Sequence, residues 1–371
     1  MRFICGTSEL LEGLNNATRA LAVRPAKPVL EGVFLETTEN GLFLTCTDGN
    51  LTIKSQVNAQ IVEEGQIVLP GKLFTELTRK LPGGEVEISV NEKMAASIRC
   101  MNSRATLSGL SPVDFPPVKP IEEGNTISLP QKNLREMISK VIFAIATDES
   151  RQILTGCLLE VTQEEARLVG LDGFRLAMQR IHGNFLLPKG KDVIEAIIPG
   201  RVLGELGKIL SDEDKPAMFT IDKTHLKVSF GKTELTTVLL AGEYINYKQI
   251  LPGDWQTRVQ ANRETLANAI ERASLMAREG KNNLIRMHID GNTMVITSNA
   301  ELGDVLEELD ILLEGKSLDI AFNARYISDV IKNIGDEELS LRFNSNVSPC
   351  VICPPEGDQY VYLVLPVRVF N

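Results

Sequence analysis

The chain has 371 residues, 43% hydrophobic and 24% charged, and its 39 basic and 49 acidic side chains leave a formal net charge of −10. No apolar run is long enough for a bilayer-spanning helix and no signal peptide is legible, so an intracellular soluble protein, cytoplasmic in location, is expected. The six cysteines, Cys5, Cys46, Cys100, Cys157, Cys350 and Cys353, fall mostly inside apolar strands and read as reduced, buried thiols.

In chain order, Leu10, Leu11, Leu14, Ala17 and Leu21 mark the inner face of a helix over 8–22, with Ser8 as its N-cap. Strands carrying Leu30-Glu31-Gly32-Val33-Phe34-Leu35-Glu36 and ending Thr47-Asp48-Gly49 follow, then a helix over 72–81 opened by Pro70-Gly71, then an alternating strand over 86–90. The pattern restarts with a helix over 131–146, a strand Leu154-Thr155-Gly156-Cys157-Leu158-Leu159-Glu160, and a strand ending Leu171-Asp172-Gly173. A helix over 201–210, opened by Pro199-Gly200, and strands over 219–221 and 226–230 complete this second round. A third round has helices over 262–277 and 325–334, the latter opened by Asn323-Ala324, with strands over 284–289, 294–299 and 339–343. Matched positions lie between 124 and 129 residues apart, too long for a solenoid repeat and the size of a domain. Three tandem α+β domains of one fold are therefore expected, at 1–122, 123–252 and 253–371, divided at Pro-rich junctions over 111–120 and 251–254.

The second helix of each round is two-sided. Its apolar set is Leu73, Phe74, Leu77 and Leu81 in the first copy, Val202, Leu203, Leu206 and Leu210 in the second, and Tyr326, Ile327, Val330 and Ile334 in the third. The basic pairs Lys72 and Arg79, Arg201 and Lys208, and Arg325 and Lys332 recur at matched positions. At roughly 100° per residue the apolar set centres near 55° and the basic pair near −110°, so the charges point away from the buried face. The acid excess lies elsewhere: basic and acidic side chains number 12 and 14 in the first domain, 16 and 17 in the second, 11 and 18 in the third. Local segregation of charge decides whether a polyanion is attracted, so the net charge does not exclude one.

Catalytic signatures are missing: no phosphate loop, no G-x-S-x-G, no H-E-x-x-H and no dinucleotide fingerprint. Asp48 and Asp172 each precede glycine at a strand end, where Asp-Gly makes a turn, and the third copy has Asn299 in that place. Cys350 and Cys353 form a lone C-x-x-C with no second pair, which falls short of a zinc site. No catalytic residue, metal or cofactor is predicted.

Arg24-Pro25 followed by a Pro28-Val29-Leu30 strand, Leu171-Asp172-Gly173-Phe174-Arg175-Leu176, Ile250-Leu251-Pro252 and the terminal Val364-Leu365-Pro366-Val367-Arg368 give the chain a resemblance, from Met1 to about Val369, to the bacterial DNA polymerase III beta subunits, the sliding clamps. The resemblance implies three copies of a DNA-clamp (processivity) fold, helices inside and antiparallel sheets outside, with two chains closing a ring around duplex DNA. It implies a non-catalytic processivity factor whose partners are the polymerase III catalytic subunit, the clamp loader and other proteins carrying a clamp-binding motif. Helix packing agrees with two chains. Six helices side by side at roughly 9 to 10 Å leave almost no hole, whereas twelve leave a lumen near 26 Å, wide enough for a duplex of roughly 20 Å.

The resemblance carries DNA-facing positions onto Arg24, Lys72 and Arg201, with Gln152 and Ile153 where many relatives have aromatic residues; the stripes add Arg79, Lys208, Arg325 and Lys332. It also implies a peptide groove between the second and third domains, carried over to Leu154, Leu171, Gly173, Arg175, Leu176, Tyr247, Ile250, Asn323, Tyr326, Leu363, Leu365, Pro366, Val367 and Arg368. Such a groove suits a short motif carrying Leu and Phe near a Gln. Ile245 stands where relatives have proline, and Phe370-Asn371 extend past their usual end. Dimer contacts are implied at Arg104 and Leu107 and at Ser274 and Leu275, with Ala105 replacing the usual aromatic.

Overall fold

The computed structural model describes every residue except 24, 26, 118–120, 122–123, 281–282 and 369–371, together with all side chains of those described but that of Glu149. Among them are six α-helices: α1 Thr7–Ala17, α2 Gly71–Lys80, α3 Gln131–Val141, α4 Gly200–Ile209, α5 Arg263–Glu279 and α6 Ala324–Lys332. Antiparallel strands form four sheets, of five, eight, nine and four strands. The chain folds into two compact units, one of residues 1–132 and 208–239, the other of 133–207 and 240–371. The expected junction at 122–123 lies outside the described residues.

In the first unit, the eight-stranded sheet joins two distant stretches of chain. Thr233–Val238 lies antiparallel to Leu51–Val57, Thr233 opposite Ser55, and their hydroxyls are 3.2 Å apart. The five-stranded sheet runs from Ala59–Glu63 at one edge to Ser103–Ser108 at the other. The second unit repeats the device: Tyr360–Val364 pairs with Arg175–His182 inside the nine-stranded sheet, Val364 opposite Arg175. Its four-stranded sheet has Gly303–Asp310 and Leu318–Asn323 as edges.

The helices follow the predicted spacing, with instructive shifts. Leu10, Leu14, Ala17 and Leu21 are buried as expected. Ser8 is not a cap, however: Arg2–Gly6 runs directly into α1, Gly6 is the N-cap residue, and the Thr7 N–H donates to the Gly84 carbonyl at 2.8 Å. Asn262 does cap α5, its side-chain oxygen accepting the Thr265 N–H at 3.0 Å. The expected Pro28-Val29-Leu30 strand is a 3-10 turn, Pro28–Glu31, and the strand begins at Gly32.

In α2 the buried face is Gly71, Phe74, Thr75 and Thr78, and Leu73 is 56% exposed, against the sequence expectation. Thr75 and Thr78 can take the inner positions because each hydroxyl donates to the carbonyl four residues back, at 2.8 Å in both cases.

Two pairs of glycines explain why the first and second copies share Pro-Gly and x-Gly motifs. A Cβ on Gly71 would lie 3.0 Å from the Glu31 carbonyl oxygen, and one on Gly200 would lie 2.8 Å from the Thr155 carbonyl oxygen. Likewise Gly32 would meet Leu69 O at 3.1 Å and Gly156 would meet Ile198 O at 2.6 Å. In the third copy the helix opens with Ala324, whose methyl is buried and whose N–H donates to Asn283 O at 2.7 Å. A Cβ is therefore accommodated at this position, and glycine is not required. Gly200→Ala is expected to cost about 1–3 kcal/mol, because its Cβ would also sit 2.0 Å from Ile145 Cδ1. A urea melt followed by circular dichroism checks this; an unchanged midpoint would contradict the close packing.

Candidate binding surfaces

The three basic stripes come to the surface. Lys72, Arg79, Arg201, Lys208, Arg325 and Lys332 are all exposed, while the opposite sides of their helices bury Phe74, Val202, Leu203, Leu206, Ile327, Val330 and Ile331. Nearby acids temper the field. Arg79 pairs with Glu76 and reaches Asn15 Oδ1 at 3.1 Å, Arg325 Nε lies 4.0 Å from Asp329, and Lys332 Nζ lies 3.6 Å from Glu271. Lys72 has no such partner among the described residues. Gln152 is exposed, its carbonyl accepting the Thr155 hydroxyl at 2.7 Å. Arg24 lies outside the described residues.

The groove positions fall into two groups, all in the second unit. Leu154, Leu171, Leu176, Tyr247 and Leu363 belong to one buried apolar cluster with Leu158, Val169, Met178 and Ile197. They form the wall behind the surface. The surface itself carries Ile250 and Leu365, 39% and 37% exposed, with Pro366 and Val367 half-buried and Arg368 exposed. The segment over 244–251 is pinned to the sheet by two tyrosines. Tyr244 Oη is 3.3 Å from the Gly156 and Val169 carbonyls, and Tyr247 Oη donates to the buried Glu160, which also takes Lys248 Nζ at 2.8 Å. Burial pushes both phenol pKa values up, for Tyr247 with help from the Glu160 hydrogen bond, so they stay neutral donors.

A turn organises the other side. Asp172 Oδ1 accepts the N–H groups of Phe174 at 2.8 Å and Arg175 at 3.0 Å, and Gly173 has φ +93°, a left-handed conformation that favours glycine. Arg175 is buried and fully engaged. Its Nε is 3.0 Å from Asp172 Oδ2, one Nη is 2.6 Å from Asp329 Oδ2, and the other donates to Phe143 O at 2.7 Å. Its guanidinium also lies 4.9 Å from the Tyr326 ring centroid. Arg175 therefore holds the turn against α6 rather than presenting a free charge. Phe174, which sequence reading did not select, is 56% exposed and stacks on Tyr326 with centroids 5.6 Å apart. Its carbonyl accepts the Leu365 N–H at 2.9 Å. The signal was present in the sequence: an aromatic directly after an Asp-Gly turn has no core to enter. Asn323 caps α6, its Oδ1 accepting the Arg325 N–H at 3.0 Å.

The positions expected at the dimer contact lie at or beside sheet edges. Arg104 and Leu107 sit on Ser103–Ser108, the open edge of the five-stranded sheet. Leu275, 61% exposed, lies on α5, which packs on the edge strand Gly303–Asp310 and ties to it through Arg272 Nε and Glu307 Oε1 at 2.8 Å. Ser274 is buried, its hydroxyl donating to Ile270 O at 2.6 Å. Cys350 and Cys353 lie on one short strand, an odd number of positions apart, so their side chains leave opposite faces. Burial raises both thiol pKa values, and it pushes those of Cys5 and Cys157 up to about 12. No group of His, Cys, Asp and Glu among the described residues has metal-site geometry, and no described helix is long and apolar enough to cross a membrane.

Comparison with known proteins covers the whole chain. Family models described as the N-terminal, central and C-terminal domains of the DNA polymerase III beta subunit match residues 1–119, 128–246 and 248–368. Proteins named beta sliding clamp from Staphylococcus epidermidis and Staphylococcus aureus are 31% identical over 380 and 382 residues, covering all of both chains. A putative DNA polymerase III beta subunit from Eubacterium rectale and the DNA polymerase sliding clamp of Bacillus subtilis superpose over the full length of both chains. Each has a TM-score of 0.94, at 32% and 30% identity.

The geometry separates support from contact. Arg175→Met is expected to destabilise the fold by about 2–3 kcal/mol, since it strands Asp172 and leaves Asp329 only partly solvated. Phe174→Ala should leave stability within about 0.5 kcal/mol while weakening any apolar ligand held at Tyr326 and Leu365. Thermal melts of the two variants, set against peptide titrations, distinguish them; equal melts would remove the positioning role given to Arg175.

Proposed function

The chain belongs to the DNA polymerase III beta subunit family, and on that premise we propose that two copies close a ring around duplex DNA, with the basic stripes of α2, α4 and α6 facing the lumen. The protein works as a sliding clamp: it tethers the replicative polymerase to its template and confers processivity, and it catalyses nothing itself. This reading places it in the bacterial cytoplasm, beside the chromosome. The observation that carries the lumen assignment is the recurrence of an exposed basic pair behind a buried apolar face on three matched helices.

Retention follows from topology and sliding from electrostatics. Lysine and arginine facing phosphates across water attract the duplex without fixing a register, because neither group reads a base edge. Acids beside the stripe, such as Glu76 and Asp329, hold the arginines out of tight phosphate contact and keep the attraction shallow. The three-domain division at 1–122, 123–252 and 253–371 is proposed on the same footing, supported by three family models of similar extent. Ring closure would use the sheet edges at Arg104 and Leu107 and beside Leu275, since an unpaired edge invites pairing with another chain.

Changing Lys72, Arg201 and Arg325 together to Glu should weaken retention on nicked circular DNA and flatten its salt dependence, with the dimer mass unchanged. Native mass measurement coupled to retention assays tests this; wild-type retention and salt slope in the triple variant would overturn the lumen assignment. In the groove, Leu365→Ala should lose about 1–3 kcal/mol of affinity for a motif peptide, roughly ten- to over a hundredfold, read by calorimetric titration. Unchanged affinity would move the peptide site elsewhere.

A further inference from the structure

Two groove residues, Val367 and Arg368, also line a cleft of about 520 Å³ whose other side chains the groove assignment leaves without a role. Its floor is the outer face of the four-stranded sheet, where Arg286 stands opposite Thr297 on one neighbouring strand and Ala321 on the other, and His288 stands opposite Asp319. Ala321 contributes only a methyl, itself buried at the base of the cleft. One wall is Val347, exposed on the loop after Glu338–Phe343, and the other is Val367 and Arg368.

The charge in the cleft is unbalanced. His288 Nδ1 lies 2.7 Å from Asp319 Oδ1, so the one carboxylate on the floor is already engaged. Arg286 and Arg368 are exposed, and neither has a carboxylate partner among the described residues. Two guanidinium groups thus line a slot that is otherwise mixed, with Asn346 and Thr297 beside Val347 and Val367.

The backbone adds a second feature. Leu318–Asn323 is an edge strand, and the Val367 N–H donates to Ala321 O across that edge at 2.8 Å. Ladder alternation turns the N–H and C=O of Asp319 towards the same edge, where no strand pairs with them among the described residues. An extended chain entering the slot could pair there while its acidic side chains meet the arginines. The unpaired backbone groups of Asp319, which a strand can ladder with and a phosphodiester cannot, together with the Val347 and Val367 side chains, favour an extended peptide over a phosphodiester.

We propose that this cleft binds the acidic flank of the same linear peptide whose apolar anchors occupy the groove, so that charge beside the motif sets partner preference. The proposal rests on the groove reading, since Val367 and Arg368 border both surfaces and a chain leaving Leu365 along them reaches the slot. Affinity would then depend on two separable parts of one partner, apolar anchors and flanking carboxylates.

The test titrates the full-length protein with three synthetic peptides: a hexapeptide carrying Gln, Leu and Phe, and the same peptide with Glu-Asp-Glu added at its N- or its C-terminus. One extended peptide should bind wild type about tenfold tighter than the core at low salt, with the gain shrinking as salt rises. Arg286→Glu should abolish that gain and leave core affinity within about twofold, because Arg286 is exposed and its replacement spares the fold. The proposal is overturned if neither extension tightens binding, if the gain survives in Arg286→Glu, or if oligothymidylate displaces the extended peptide down to the affinity of the core. Failure of the core peptide to bind wild type would defeat the groove reading and this one together, whereas core binding without a gain defeats this one alone.

Discussion

The backbone ladder between Arg175–His182 and Tyr360–Val364 is the interaction on which the proposed peptide groove depends. Those strands are separated by most of two domains in sequence, yet their pairing sets Val364 opposite Arg175 and so fixes what lies beyond each strand end. On one side the Asp172 turn delivers Phe174; on the other the chain continues to Leu365, whose N–H extends the ladder by one bond to Phe174 O. A surface assembled from main-chain hydrogen bonds is rigid without burying its side chains. That is how Leu365 and Phe174 remain exposed while their backbones are fixed.

Charge is arranged on the same economy. The excess of acid over base is spread across the chain and largest in its last third, but the six stripe residues all stand exposed on helices whose other sides are sealed. A duplex responds to the field near it, not to the total, and at physiological salt charges beyond about 8 Å are largely screened. The acids near the stripe act within that distance. Under the proposed lumen assignment they limit how firmly any one arginine can grip, which suits a ring that must move.

Helix positions were legible because the 3.6-residue spacing is carried by large side chains, and both Asp-Gly turns were legible because glycine there has a positive φ. Leu73 was misread because Thr75 and Thr78 score as polar although their hydroxyls are satisfied inside α2. The start of α1 was misread because a cap was sought in a side chain, where the preceding strand supplies the geometry. That Leu154, Leu171 and Leu176 are core residues reads from the sequence, but nothing local could show that they cluster with Tyr247 and Leu363, since that depends on distant strands meeting. The acid facing Lys332 was equally hidden, since Glu271 comes from another helix, whereas Glu76, three residues before Arg79 on one helix, was legible.

Why only one groove is expected, when the chain repeats its fold, is answered by comparing the two sheet junctions. The Val238 N–H donates to Asn50 O at 3.2 Å, as the Leu365 N–H donates to Phe174 O at 2.9 Å, and both acceptors follow an Asp-Gly turn. The backbone device is the same in both. At the first junction the residues after Gly49 are Asn50, which has no ring to stack, and Leu51, which is buried and has no charge. At the second they are Phe174 and Arg175, and the arginine reaches Asp329 and Tyr326 on α6. The repeat supplied the scaffold twice, and two side chains after a turn distinguish the junction where the groove is proposed from the one where it is not.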